Sequence, residues 1–151
     1  MTMTGAILLV EDNQDDVVLM KHALRSAGVG NPIYLVENGD EAVNYLAGTD
    51  KFQDREVYPM PTVIFLDLKL PLRTGHEVLS WIRAQTELEG VIVVMLTSSD
   101  QPADLRRAYG LGANSYLIKP PNAHQLNELA KAFGWEWLKG ERAKSTPPAV
   151  N

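Results

Sequence analysis

The chain has no cysteine, so disulfides, thiolate metal centres and thiol nucleophiles are excluded. Aromatic residues are scarce, at 7%, and there are only three histidines. None of them stands at a His–carboxylate spacing that suits zinc, so surface or helix-capping roles are expected of His22, His76 and His124. No run approaches the roughly 18 consecutive apolar residues of a membrane span. The opening MTMTG has no basic stretch and no long apolar core, so no signal peptide is expected. Positive charge is in deficit, with 14 Lys and Arg against 19 Asp and Glu, a net charge of −5. A nucleic-acid or anionic-membrane partner, which needs a positive surface, is therefore not expected. The expected compartment is the cytoplasm. What remains is the mix of an ordinary globular domain: 151 residues, 45% hydrophobic and 22% charged.

Five short β-like runs alternate with helical segments. The runs are AILLV (6–10), PIYLV (32–36), TVIFLD (62–67), VIVVML (91–96) and NSYLI (114–118). The first, third and fourth are almost continuously apolar, which suits central parallel strands buried on both faces. Val17, Met20, Leu24 and Ala27 form one stripe on a helix over 14–27, stopped by Gly28. Ala42, Val43 and Leu46 mark a second helix, and Val78, Leu79 and Ile82 a third. Leu105, Ala108 and Tyr109 mark a fourth; Leu126, Leu129, Ala130, Phe133 and Trp137 mark a fifth. GLGAN (110–114) contains GxG but lacks the strand-before, helix-after setting of a nucleotide loop, so it is read as a helix stop and turn.

Strict alternation predicts an α/β fold, one parallel sheet with helices on both faces. Right-handed crossovers and five strands favour the flavodoxin-like doubly wound (βα)5 order 2-1-3-4-5. The connection GTDKFQDREVYPMP (48–61) is longer than the usual two to six residues, and is either a tolerated surface insertion or an interaction loop. The polar, proline-bearing segment 140–151 is expected to be a flexible tail.

The polar residues that end the strands carry the chemistry. Glu11 and Asp12 follow the first strand, Asp67 ends the third, Thr97 follows the fourth and Lys119 follows the fifth. Ligands of such sheets bind beyond the carboxyl ends, where strand order reverses. For 2-1-3-4-5 that point lies between the first and third strands, so Glu11, Asp12 and Asp67 should converge. Each alone is more often a turn residue or N-cap than a functional group. Their joint occurrence shifts the balance. Three close carboxylates repel one another or hold a cation, and oxygen ligands without His or Cys suit Mg²⁺. A carboxylate can also act as a nucleophile toward phosphorus.

These residues resemble the receiver domain of two-component response regulators. LLVEDNQDD resembles the acidic opening motif of that family. FLDLKLPLRTG resembles its phosphoacceptor strand and following loop, MLTSS the hydroxyl-bearing end of strand four, and GANSYLIKP the final aromatic and Lys-Pro motif. The resemblance implies a receiver domain over 5–139, with Asp67 accepting a phosphoryl group from a histidine kinase. It implies Mg²⁺ (or Mn²⁺) on Asp12, Asp67 and the backbone carbonyl of Lys69, with Glu11 acting through water. Thr97 and Lys119 would contact the phosphoryl oxygens, Thr97 and Tyr116 would act as the switch, and Lys119–Pro120 would be cis. Against the family pattern, Ser98 would narrow access for the phosphoryl group slightly, Pro121 would stiffen the entry to the last helix, and Lys69 and Ser99 stand at the two positions that tune hydrolysis. Such a chain would signal by phosphorylation-dependent contact with a downstream protein, or by relay.

VEDNQDD, the long loop before TVIFLDLKLP and the aromatic-rich last helix are similar to the stand-alone regulators of bacterial and cyanobacterial phytochrome kinases. That subgroup implies a homodimer through the C-terminal face. Trp135, two residues from Trp137, cannot share its helical face, and is read as either an exposed helix-end aromatic or an interface residue. Two alternatives stay open: a binding-only pseudo-receiver, and a Mg²⁺-dependent phosphohydrolase with an aspartyl-phosphate intermediate. The hydrolase would need a second acid where Lys69 stands.

Overall fold

Ile7–Val10 form β1, and all four side chains are buried, because a parallel strand covered on both faces has no wet side. The computed structural model describes residues 5–98 and 101–134. Along it follow α1 (Gln14–Ser26), β2 (Ile33–Val36), α2 (Gly39–Ala47), β3 (Val63–Asp67), α3 (Gly75–Arg83), β4 (Ile92–Thr97), α4 (Pro102–Gly110), β5 (Ser115–Ile118) and α5 (Ala123–Phe133). The strands form one sheet in the order β2-β1-β3-β4-β5, every pair parallel. The predicted doubly wound order is therefore observed. Among the described residues, no helix is long and apolar enough to cross a membrane.

Alternation along the strands sorts the core into two layers. Leu8, Val10, Ile64, Leu66, Val93 and Met95 point to the side covered by α2, α3 and α4. Ile7, Leu9, Val63, Phe65, Val94 and Leu96 point to the side covered by α1 and α5. Each such fully buried side chain contributes about 1.5–3 kcal/mol of burial. The stripe Val17, Met20 and Leu24 of α1 meets Leu126, Leu129 and Ala130 of α5 in the second layer. The predicted stripe of α4 is thinner than expected. Only Ala108 is buried, while Tyr109 is 47% exposed and leans edge-on against Tyr116 at 5.8 Å. Trp135 and Trp137 lie outside the described residues.

Two arginines tie the connections down. The 48–61 segment contains a 3-10 turn at Asp50–Phe52 and folds back on the end of α2. Phe52 is buried, 5.2 Å from the ring of Tyr45 and 5.0 Å from that of Tyr58. The Arg55 guanidinium donates to the carbonyls of Tyr45 (2.8 Å), Tyr58 (3.0 Å) and Leu46 (2.9 Å), which closes the C-terminus of α2. Hence this segment is partly core, with Val57 and Met60 left exposed at its surface. Arg83, at the end of α3, donates to the carbonyls of Gly112 (2.9 Å), Leu88 (3.2 Å) and Val91 (2.9 Å) and to Asn114 Oδ1 (2.8 Å). Asn114 Oδ1 also accepts from Val93 N–H at 2.7 Å, so the turn before β5 is pinned to β4.

Candidate phosphoacceptor and metal site

Three strands deliver the site. Glu11 is the first residue past β1 and is buried, and Asp12 beside it is exposed. Asp67 is the last residue of β3 and is 5% exposed. Thr97 is the buried last residue of β4, one position earlier relative to the strand end than expected. Lys119 follows β5, and its N–H donates to the Thr97 carbonyl at 2.8 Å. The Lys119–Pro120 peptide is cis.

One carboxylate oxygen each from Glu11, Asp12 and Asp67 lies within 4.8 Å of the others. The Lys119 ammonium enters this group, 2.8 Å from Glu11 Oε1, 2.9 Å from Asp16 Oδ2 and 3.2 Å from Asp67 Oδ2. Asp16 is a residue that sequence reasoning did not single out. It is the third residue of α1, whose N-cap Asn13 accepts from Asp16 N–H at 2.9 Å. The available signal was helical geometry: the first turn of a helix that starts beside a strand end faces back toward that end.

Three carboxylates thus contact one ammonium. Burial pushes the Glu11 carboxyl up to about 7, aided by the Asp67 charge and opposed by Lys119. Burial pulls Lys119 down, but its pairs with Glu11, Asp16 and Asp67 outweigh this, and its pKa is raised. Glu11 Oε2 accepts from Asn13 N–H at 3.1 Å. Oε1 is buried and, beyond its ion pair with Lys119, has no donor in hydrogen-bonding alignment. A poorly satisfied buried oxygen, an all-oxygen donor set and a spread of 4.8 Å fit one small divalent cation, whose octahedral ligands stand about 3–4 Å apart. Histidine and cysteine, the softer ligands, do not enter the cluster.

The loop after β3 is held from several sides. Lys69 N–H donates to Asp67 Oδ1 at 3.2 Å, and the Lys69 side chain is exposed. A Cβ on Gly75 would fall 2.4 Å from the Asp67 carbonyl, so only glycine lets α3 start this close to the end of β3. Arg73 N–H donates to the Pro71 carbonyl at 2.8 Å across Leu72, whose φ is +72°. This is a γ-turn of the strained, positive-φ kind, and Leu72 is 72% exposed on it. The same Pro71 carbonyl accepts from Gly39 N–H at 3.2 Å, and Arg73 Nε pairs with Asp40 Oδ1 at 2.8 Å.

Two further expectations meet the structure here. His76 was expected at the surface or as a cap; instead it is buried, 6% exposed, with Nε2 lacking a hydrogen-bond partner. Its position explains this. As the second residue of α3, directly after Gly75, it starts a helix that backs onto the Asp67–Leu68 backbone. His22 and His124 are exposed. Tyr116 is half-buried on β5 beside Tyr109, whereas Trp135 lies outside the described residues.

The profile of the response regulator receiver domain matches residues 7–131. Among curated relatives, the probable methanogenesis regulatory protein FilR2 of Methanothrix harundinacea is 37% identical over 137 residues, covering 91% of this chain and 86% of its own. Response regulator Rcp1 of Synechocystis is 32% identical over 133 residues, 88% of either chain. The structure of its Mn(2+)-bound form superposes with a TM-score of 0.72 at 32% identity, covering 96% of this chain and 99% of that one. The bacteriophytochrome response regulator RtBRR superposes with a TM-score of 0.80 at 38% identity, covering 98% and 87%. The phosphorylated cyanobacterial phytochrome response regulator RcpA gives 0.75 at 33% identity, covering 97% and 100%.

Proposed function

This chain belongs to the response regulator receiver domain family, and from that premise we propose that Asp67 accepts a phosphoryl group from the phosphohistidine of a histidine kinase, in a reaction that needs Mg²⁺. The observation that carries the proposal is the convergence of Glu11, Asp12 and Asp67 within 4.8 Å, with the Lys119 ammonium 3.2 Å from Asp67. Asp12 and Asp67, with the Lys69 carbonyl and the nearby Glu11, would hold Mg²⁺ or Mn²⁺. The bound ion would neutralise the charge of acceptor and donor.

The chain's own groups do the rest. Asp67, fixed at the end of a buried strand, presents one carboxylate oxygen as nucleophile. Lys119 brings a compact positive charge to the equatorial oxygens as they gain charge. Thr97, at the neighbouring strand end, supplies a hydroxyl that can donate to the same oxygens. Thr97 and Tyr116 then form the switch. Movement of Thr97 toward the modified Asp67 would let Tyr116 turn from Tyr109 into the vacated space. That would bias the α4–β5–α5 face between two arrangements and change which downstream protein it binds.

The reading extends to partners and boundaries. The kinase is of phytochrome type, a reading supported by the similarity to the bacteriophytochrome response regulator RtBRR and the cyanobacterial phytochrome response regulator RcpA. The domain runs over 5–139, and two copies pair through the C-terminal face. The protein is a signal carrier whose own chemistry is limited to accepting and slowly releasing phosphate.

Incubation with acetyl phosphate and Mg²⁺ tests this. Intact-mass analysis should show one added phosphoryl group, absent in Asp67→Asn and absent when the metal is chelated. No increment in the unmodified protein would instead support a binding-only pseudo-receiver. Sustained release of phosphate over many turnovers would support the hydrolase.

A further inference from the structure

We infer that Asp16 is a positioning residue for phosphoryl transfer: it tethers the Lys119 ammonium beside Asp67 from outside the metal-binding carboxylates. This rests on the phosphoacceptor reading above. Lys119 Nζ touches three carboxylates, and two of them, Glu11 and Asp67, belong to the oxygen cluster that would take the cation. Asp16 does not belong to that cluster, and its Oδ2 accepts from Lys119 Nζ at 2.9 Å. A divalent cation beside Glu11 and Asp67 competes with the ammonium for those oxygens and repels it. Once the cluster holds a cation, Asp16 is the contact that keeps its full charge for Lys119.

The tether is itself well held. Asp16 N–H is fixed by the Asn13 cap at 2.9 Å, and a negative side chain in the first turn is favoured by the helix dipole. The Asp16 side chain is 31% exposed and that of Lys119 only 13%, so the pair closes the rim over the inner carboxylates. Lysine has a long, flexible stem, and without a fixed anchor its ammonium samples many positions. During transfer, the bond from phosphorus to the acetate oxygen of acetyl phosphate breaks and a bond to an Asp67 oxygen forms. Acetate leaves with the electron pair, and Asp67 becomes the aspartyl phosphate. Lys119 must already stand at the equatorial oxygens when this occurs, because electrostatic stabilisation depends on preorganisation.

The test is Asp16→Asn, which keeps shape and the capped backbone N–H but removes the charge. Phosphorylation by acetyl phosphate at saturating Mg²⁺ should slow about tenfold, as expected of a displaced catalytic group. Calorimetric Mg²⁺ affinity should stay unchanged, because Asp16 is not a ligand. Asp16→Glu should recover most of the rate. In a Lys119→Ala background, Asp16→Asn should have no further effect, an outcome that a purely structural role would not produce. A rate for Asp16→Asn equal to that of the unmodified protein overturns the inference while leaving the phosphoacceptor reading intact. So does a full additional loss in the Lys119→Ala background. Failure of the unmodified protein to accept phosphate overturns both.

Discussion

Lys119 and Arg83 are both cations drawn into the protein, but their surroundings differ in kind. Lys119 faces the carboxylates of Glu11, Asp16 and Asp67 at the carboxyl end of the sheet. Arg83 faces the neutral oxygens of Gly112, Leu88, Val91 and Asn114 at the opposite end. A planar guanidinium with five donors matches several fixed carbonyls at once and then has no reason to move. A compact ammonium among charges is held by Coulomb attraction, which any new charge in the group redistributes. The difference teaches where this molecule stores stability and where it stores the capacity to respond. The amino-terminal end is wired by directional bonds to backbone, and the carboxyl end is balanced by charge.

Four substitutions can break or sharpen that contrast. Arg83→Met should cost most, about 2–4 kcal/mol of stability in urea unfolding, because several acceptors lose a charged donor together. Its phosphorylation rate should remain that of the parent. Lys119→Met should show the reverse: a rate of phosphorylation by acetyl phosphate lowered about 100-fold. Added Mg²⁺ should raise its melting temperature more than that of the parent, since the carboxylates have lost their resident cation. An Arg83 variant that loses phosphorylation as fully as the Lys119 variant would erase the distinction. Gly75→Ala lies between the two, because its Cβ must displace the Asp67 carbonyl at 2.4 Å. It should lose about 1–3 kcal/mol from overpacking and also weaken Mg²⁺ binding. Tyr45→Phe should be mildest. It removes one hydrogen bond to the Pro59 carbonyl and should cost about 1 kcal/mol, with no change in phosphorylation.

Sequence patterning revealed the sheet and the inner site because both follow simple periods. Ile7–Val10 and residues 63–66 are unbroken apolar runs, and the polar residues closing them could only gather at one edge. Asp16 escaped because its place in the first turn of α1 becomes informative only once the helix is set beside the strand ends, not from its spacing to Lys119 along the chain. His76 was misjudged for a related reason: the closeness of α3 to Asp67 is decided by the missing side chain of Gly75. The 48–61 segment read as loop because its polar residues and the prolines at 59 and 61 leave no sustained apolar stripe, yet Phe52, Arg55 and Tyr58 meet in space around Tyr45.

The turn at Leu72 sets a rule about length. Between Asp67 and Gly75 the chain must bring the Pro71 carbonyl to Gly39 and Arg73 to Asp40, then return so that Gly75 N–H donates to the Leu68 carbonyl at 2.8 Å. These are three closures at fixed offsets. The exposed side chains of Lys69 and Leu72 can be exchanged without breaking any of them. Adding or deleting a single residue shifts at least one of them out of place. In aligned relatives this stretch should therefore accept spelling changes and refuse gaps.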